Sequence, residues 1–94
     1  MPGEKPHYRL QVARSAARSI AEDLPESVAA AVLELLTGDL LLHPRRVGKP
    51  LQRELAGRWA ARRGTYRVIF TIDEEPKTVT VLAVDHRRDI YRLR

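Results

Sequence analysis

Residues 66–84 read YRVIFTIDEEPKTVTVLAV, and their alternation decides the fold. From Tyr66 to Ile72, the side chains of Tyr66, Val68, Phe70 and Ile72 fall on one side of an extended chain and those of Arg67, Ile69 and Thr71 on the other. That period of two is the pattern of a strand. The acidic, proline-containing run Asp73–Lys77 reads as a hairpin turn. Thr78–Val84 forms a second strand, with Val79, Val81 and Ala83 opposite Thr78, Thr80, Leu82 and Val84. Its near-continuous apolarity suits a central place in a sheet.

Towards the N-terminus, Tyr8–Val12 alternates as a half-buried strand does. Ser15 to Leu24 has a helical period, with Ala16, Ala17, Ile20 and Leu24 on one side. Pro25 interrupts it and suits the first turn of a second helix, which runs to about Thr37 with Val28, Val32, Leu35 and Leu36 as its apolar stripe. Gly38 is a natural stop. His43–Pro50 reads as a loop from its prolines and glycine, and Leu55 to about Arg62 as a short strand leading through Gly64-Thr65 into Tyr66. Met1–Pro6 is a polar arm expected to be flexible, and Arg87–Arg94 a final helical turn or two. The expectation is a single α+β domain over residues 1–94: a small, mostly antiparallel sheet in the order β-α-α-β-β-β, flanked by an N-terminal helical hairpin.

With 94 residues the chain suits one domain with a small core. It has no Cys, which excludes disulfides and thiolate metal sites and fits a reducing cytoplasm. The first ten residues lack the apolar run of a signal peptide, and no stretch approaches a membrane span. The net charge is +5. Its distribution is uneven: residues 1–42 carry four basic and six acidic groups, residues 43–67 eight basic and one acidic, residues 68–84 one and three, and residues 85–94 four and two. Positive charge gathered in the middle and the tail points to an anionic partner, with a solvated basic face as the plainer alternative.

Arg67 is the sharpest single signal, because it interrupts a mostly apolar strand. It is either half-exposed and paired with an acid, or aimed into a cleft where its planar guanidinium grips phosphate oxygens. Arg58 and Arg62, four apart in a presumed strand, share a face. Arg63 points to the other face, where a solvated charge is the ordinary reading; with Arg45, Arg46, Lys49 and Arg62 it completes the basic set expected to bind substrate. Trp59 is expected to pack in the core or on the helices. His86, just past a strand end, is a candidate general base, though a lone His is more often a surface or capping residue. His7 and His43 have no partner at metal-ligand spacing, and no metal or cofactor motif is present. Tyr91, four residues after Arg87, shares its face if the tail is helical, and either relays a proton, stacks on a base or packs on the sheet edge.

Four motifs in order, PRRVGKPL (44–51), LAGRW (55–59), RRGTYRVIF (62–70) and AVDHRRDIYR (83–92), resemble the RelE toxins of bacterial toxin–antitoxin modules, within the RelE/ParE superfamily. The resemblance extends to VARSAARSI (12–20) and LPESVAAAV (24–32). It implies an endoribonuclease, an mRNA interferase, acting in the ribosomal A site without a metal or other cofactor. In that reaction the ribose 2′-OH attacks the adjacent phosphate and expels the next 5′-oxygen. It also implies a RelB-type antitoxin bound in a hetero-oligomer, the ribosome and mRNA as further partners, no membrane, and a cytoplasmic location. By resemblance, Arg67 holds the scissile phosphate, Arg87 stabilises the transition state or protonates the leaving oxygen, and Tyr91 orients or stacks on substrate. Arg58 falls on the first of two family lysines, Arg62 on another basic strand position, and Ala60 on the second lysine. Since a guanidinium is a poor proton acceptor, either His86 takes the proton or catalysis rests on charge and alignment. Two alternatives stand beside this reading: a ParE-like inhibitor of DNA gyrase, and a nucleic-acid-binding module without catalysis.

Overall fold

The computed structural model describes residues 7–86. The arm at residues 1–6 and the expected helical tail from Arg87, with Arg87 and Tyr91, lie outside the described residues. The described elements are β1 (Arg9–Val12), α1 (Arg14–Arg18) running into a single π-turn (Ser19–Asp23), α2 (Glu26–Thr37), two one-turn helices α3 (Asp39–Leu42) and α4 (Pro44–Val47), β2 (Gly48–Pro50), a 3₁₀ turn (Arg53–Leu55), β3 (Trp59–Arg63), β4 (Tyr66–Glu74) and β5 (Lys77–His86). The α+β class and the helical hairpin are as expected. The sheet has five strands in the order β1-β5-β4-β3-β2, with β1 parallel to β5 and every other pair antiparallel.

The fifth strand, β2, lies within the expected loop His43–Pro50. Its glycine and proline read as a break, yet Gly48, Lys49 and Pro50 pair with Ala61, Ala60 and Trp59. Pro is tolerated because β2 is an edge strand. Gly48 is required by close approach: a Cβ there would stand 2.6 Å from Cζ of Phe70. The expected strand from Leu55 begins later, at Trp59, because residues 53–55 close a turn. The β3–β4 hairpin is a two-residue turn in which Gly64 takes φ +63°, open to glycine at no steric cost. The β4–β5 turn is tighter than expected: Glu74 pairs with Lys77 across Glu75-Pro76, whose peptide bond is cis.

The helices cover one face of the sheet. Val32, Leu35 and Leu36 of α2, Leu40 and Leu41 of α3, and Ala16 of α1 bury against Val68, Phe70, Val79, Val81 and Val84. Ile20, Leu24, Val28 and Trp59 pack at the margin. Ala17, expected on the same stripe, is exposed; α1 enters directly from β1 and places Ala16 inward.

The ladder β4–β5 departs from simple alternation. Phe70 pairs with Val81 but Ile69 pairs with Ala83, so Leu82 is an extra residue in a bulge. Beyond it the parity of β5 reverses. Val84, expected opposite Val79 and Val81, joins them on the helix side and is buried, whereas Ala83 moves to the other face. Asp85 consequently lies across from Arg67.

A basic pocket on the open face of the sheet

On the face away from the helices, cross-strand neighbours form two rows. Lys49, Ala60, Ile69 and Ala83 stand side by side on β2, β3, β4 and β5. Arg62, Arg67 and Asp85 form the next row. Ile69 is buried although it belongs to this face, with two alanines as its neighbours. The small side chain of Ala60 leaves a shallow pocket of about 300 Å³, lined by Val47, Lys49, Leu51, Ala60, Arg62 and Arg67. Among the described residues three cations and no carboxylate line it. Arg62 and Arg67 face each other directly across the ladder, an unfavourable like-charge pair on its own. Asp85 stands on the other side of Arg67 in the same row, and the planar guanidinium donors are of the kind that suits phosphate oxygens.

The sequence-predicted residues divide between the two faces. Lys49, Arg62 and Arg67 meet in the pocket. Arg58 is exposed one residue before β3, its N–H donating to the Leu55 carbonyl at 3.1 Å and its carbonyl accepting from Leu51 N–H at 2.8 Å. His86 is directly across from Tyr66, with ring centroids 5.3 Å apart in an edge-on contact. That row, which continues to Arg63, lies on the helix side, so the strand turns the His86 imidazole away from Arg67 and from the pocket.

Arg45 and Arg46 do not reach the pocket either. They line a different hollow with His7, Tyr8, His43 and Lys77. Arg45 Nη2 pairs with Glu74 Oε2 at 2.6 Å, and Arg45 Nη1 donates to Tyr8 Oη at 3.1 Å. Tyr8 Oη in turn donates to Glu74 Oε2 at 2.9 Å. The Arg45 guanidinium also lies 6.0 Å from the Trp59 ring centroid. Hydrogen bonds from Arg45 and then Tyr8 hold the Glu74 carboxyl below its usual range, and the same contacts raise Arg45. This group ties α4 to the ends of β1 and β4, and α4 leads directly into β2. Arg45 is thus tied into the fold at this end of the sheet, apart from the pocket that holds Lys49, Arg62 and Arg67. No sequence signal announces the trio, because Tyr8 and Glu74 are 66 residues apart. Among the described residues no three acidic or imidazole side chains gather to hold a metal, and no helix is long and apolar enough to cross a membrane.

A five-stranded sheet with helices over one face is a fold this chain shares with solved toxins of type II toxin–antitoxin complexes. Comparison with known proteins agrees. The model of a family described as "ParE toxin of type II toxin-antitoxin system, parDE" matches residues 10–91. Toxin RelG of Mycobacterium tuberculosis (strain ATCC 25618 / H37Rv) is 53% identical over 85 residues, covering 90% of this chain and 97% of the relative. Toxin RelE of the same organism is 41% identical over 86 residues, covering 92% and 88%. The toxin–antitoxin complex RelBE2 from M. tuberculosis contains a chain that superposes with a TM-score of 0.81 at 49% identity, covering 90% of this chain and 95% of that one. The chain belongs to the RelE/ParE superfamily of type II toxin–antitoxin toxins.

Proposed function

We propose that this toxin is a ribosome-dependent mRNA endonuclease acting in the cytoplasm, with a RelB-type antitoxin as its inhibitor in a hetero-oligomer. The observation that carries the reading is the pocket on the open face, where Lys49, Arg62 and Arg67 surround a space of about 300 Å³ with no acid among the described lining residues. The similarity to Toxin RelG and Toxin RelE supports the same reading.

In the proposed reaction Arg67 and Arg62 hold the two non-bridging oxygens of the scissile phosphate. The 2′-oxygen attacks phosphorus, the bond to the 5′-oxygen breaks, and a 2′,3′-cyclic phosphate remains. The nucleophile belongs to the substrate, so the protein's task is alignment and stabilisation of charge on the phosphorane. One preorganised donor of this kind is worth roughly 3–4 kcal/mol, or about a hundredfold to a thousandfold in rate. Arg87 and Tyr91 keep the roles that the resemblance implies, at the leaving oxygen and on the base.

Primer extension on an mRNA under translation in a purified system tests this. New 5′ ends within codons, seen only when ribosomes are present and lost with Arg67→Ala, are the expected result. Intact mRNA would overturn it. The family model's ParE description favours a second reading, inhibition of DNA gyrase; loss of gyrase supercoiling activity on adding the toxin, with mRNA left intact, is its signature.

A further inference from the structure

We propose that Lys49, on the edge strand β2, is the group that takes the proton from the attacking 2′-hydroxyl; the proposal rests on the nuclease reading above. In the nuclease reading the attacking 2′-hydroxyl gives up a proton, which the pocket's arginines cannot accept, because a guanidinium stays charged throughout the working pH range. His86 lies on the opposite face of the sheet. Among the described residues that line the pocket, Lys49 is the one whose side chain can exchange a proton.

Its placement is set by the fold. Gly48 lies close against Phe70, and the chain enters β2 from α4, which the Arg45–Glu74–Tyr8 contacts anchor. The register puts Lys49 directly opposite Ala60, a position that offers no functional group of its own. Lys49 is diagonal to Arg62 on the neighbouring strand and two strands from Arg67. With strands spaced about 4.8 Å apart and a rise of about 3.3 Å per residue, the Lys49 and Arg67 backbones are on the order of 12 Å apart. Two long side chains meet over that gap, one on a phosphate oxygen and the other on the neighbouring ribose hydroxyl. Among the described residues the other charged groups on this face are Arg62 on β3, Arg67 and Asp73 on β4, Asp85 on β5 and Arg9 on β1, of which only the two arginines of β3 and β4 line the pocket.

In the step assigned to Lys49, its neutral amine accepts the 2′-OH proton as the O2′–P bond forms. The P–O5′ electron pair leaves with the 5′-oxygen, which is protonated by water. Lys49 ends as an ammonium ion and returns its proton to solvent. No oxidant, metal or further reactant is needed.

Single-turnover cleavage on mRNA-programmed ribosomes at a series of pH values provides the test. If a single protein group must lose its proton before cleavage, the rate constant of the natural chain rises about tenfold per pH unit over the limb in which that loss limits the rate. Lys49→Arg keeps the positive charge but cannot exchange a proton; it should be slower by about a hundredfold or more and lose that slope. Because the chain has no cysteine, Lys49→Cys followed by aminoethylation rebuilds a lysine-like amine at this position alone, and should restore both rate and slope. A Lys49→Arg variant with the natural rate and slope would overturn the assignment and leave Lys49 as a phosphate contact, the nuclease reading standing. If the natural chain itself does not cleave, the nuclease reading fails and this assignment with it.

Discussion

Glu74 shows how one acid organises the basic end of this chain. Its carboxylate accepts from both Arg45 and Tyr8, with Lys77 at 3.9 Å, and the Arg45 and Glu74 side chains are about half-exposed. Its pKa is lowered by Arg45 first and by Tyr8 second. A carboxyl with a depressed folded-state pKa stabilises the fold above its unfolded pKa, and that contribution disappears as pH falls through the folded value. Glu74→Gln should therefore be less stable than the natural chain at neutral pH, with the two converging as pH falls through and below the carboxylate range. Because the pair is half-exposed, added salt should narrow the neutral-pH gap. Urea denaturation at several pH values measures this; a gap that persists undiminished in acid would show that the carboxylate charge contributes nothing.

Among the elements, the bulge at Leu82 determines which residues face the pocket side. It restores Val84 to the core and sets Asp85 across from Arg67. Deleting Leu82 leaves the pairs Phe70–Val81 and Ile69–Ala83 able to join in a regular ladder, so the fold should survive with a modest loss of stability. Inserting one alanine between Ala83 and Val84 instead turns Val84 outward and Asp85 towards the helices. Exposing that valine alone costs roughly 1.5–3 kcal/mol, so the insertion should be much the more damaging in urea denaturation; equal midpoints would refute this account of the bulge. The same feature marks where the sequence stops being legible. The helical stripes, β1, β4 and most of β5 follow from periodicity, because each buries one face against the same core. Leu82 sits in a continuous apolar run, where an extra residue leaves no mark, and Val84 is consequently assigned to the wrong side. β2 is hidden because three residues with a glycine and a proline resemble a turn until Trp59–Ala61 are present to pair with them. Arg62 and Arg67 were each readable as basic strand positions, the first from its spacing to Arg58 and the second from interrupting an apolar strand; that they meet depends on the β3–β4 register. The separation of His86 and Arg45 from that site was not readable, since it depends on the strand's facing and on a partner 29 residues beyond Arg45.

For the whole molecule, the two faces divide the work: apolar side chains gather under the helices, and three cations line the pocket on the opposite side. Of the eight basic residues between His43 and Arg67, Arg45 and Arg46 fall in one group, where Arg45 ends on Glu74, and Lys49, Arg62 and Arg67 fall in a second that lines the pocket. Only the second group should respond to a nucleic-acid backbone. If Lys49, Arg62 and Arg67 each neutralise one phosphate of a single strand, log K should fall with log salt concentration with a slope of about −2, since each contact contributes about −0.7. Arg67→Gln should then weaken binding of a 2′-O-methylated, uncleavable oligoribonucleotide and bring the slope to about −1.4. Arg45→Gln should leave the slope unchanged, because that guanidinium is engaged on the helix side with Glu74. Fluorescence anisotropy across a salt series separates the two variants. A slope that changes with Arg45 and not with Arg67 would place the polyanion on the helix side of the sheet, and with it the site of action of the toxin.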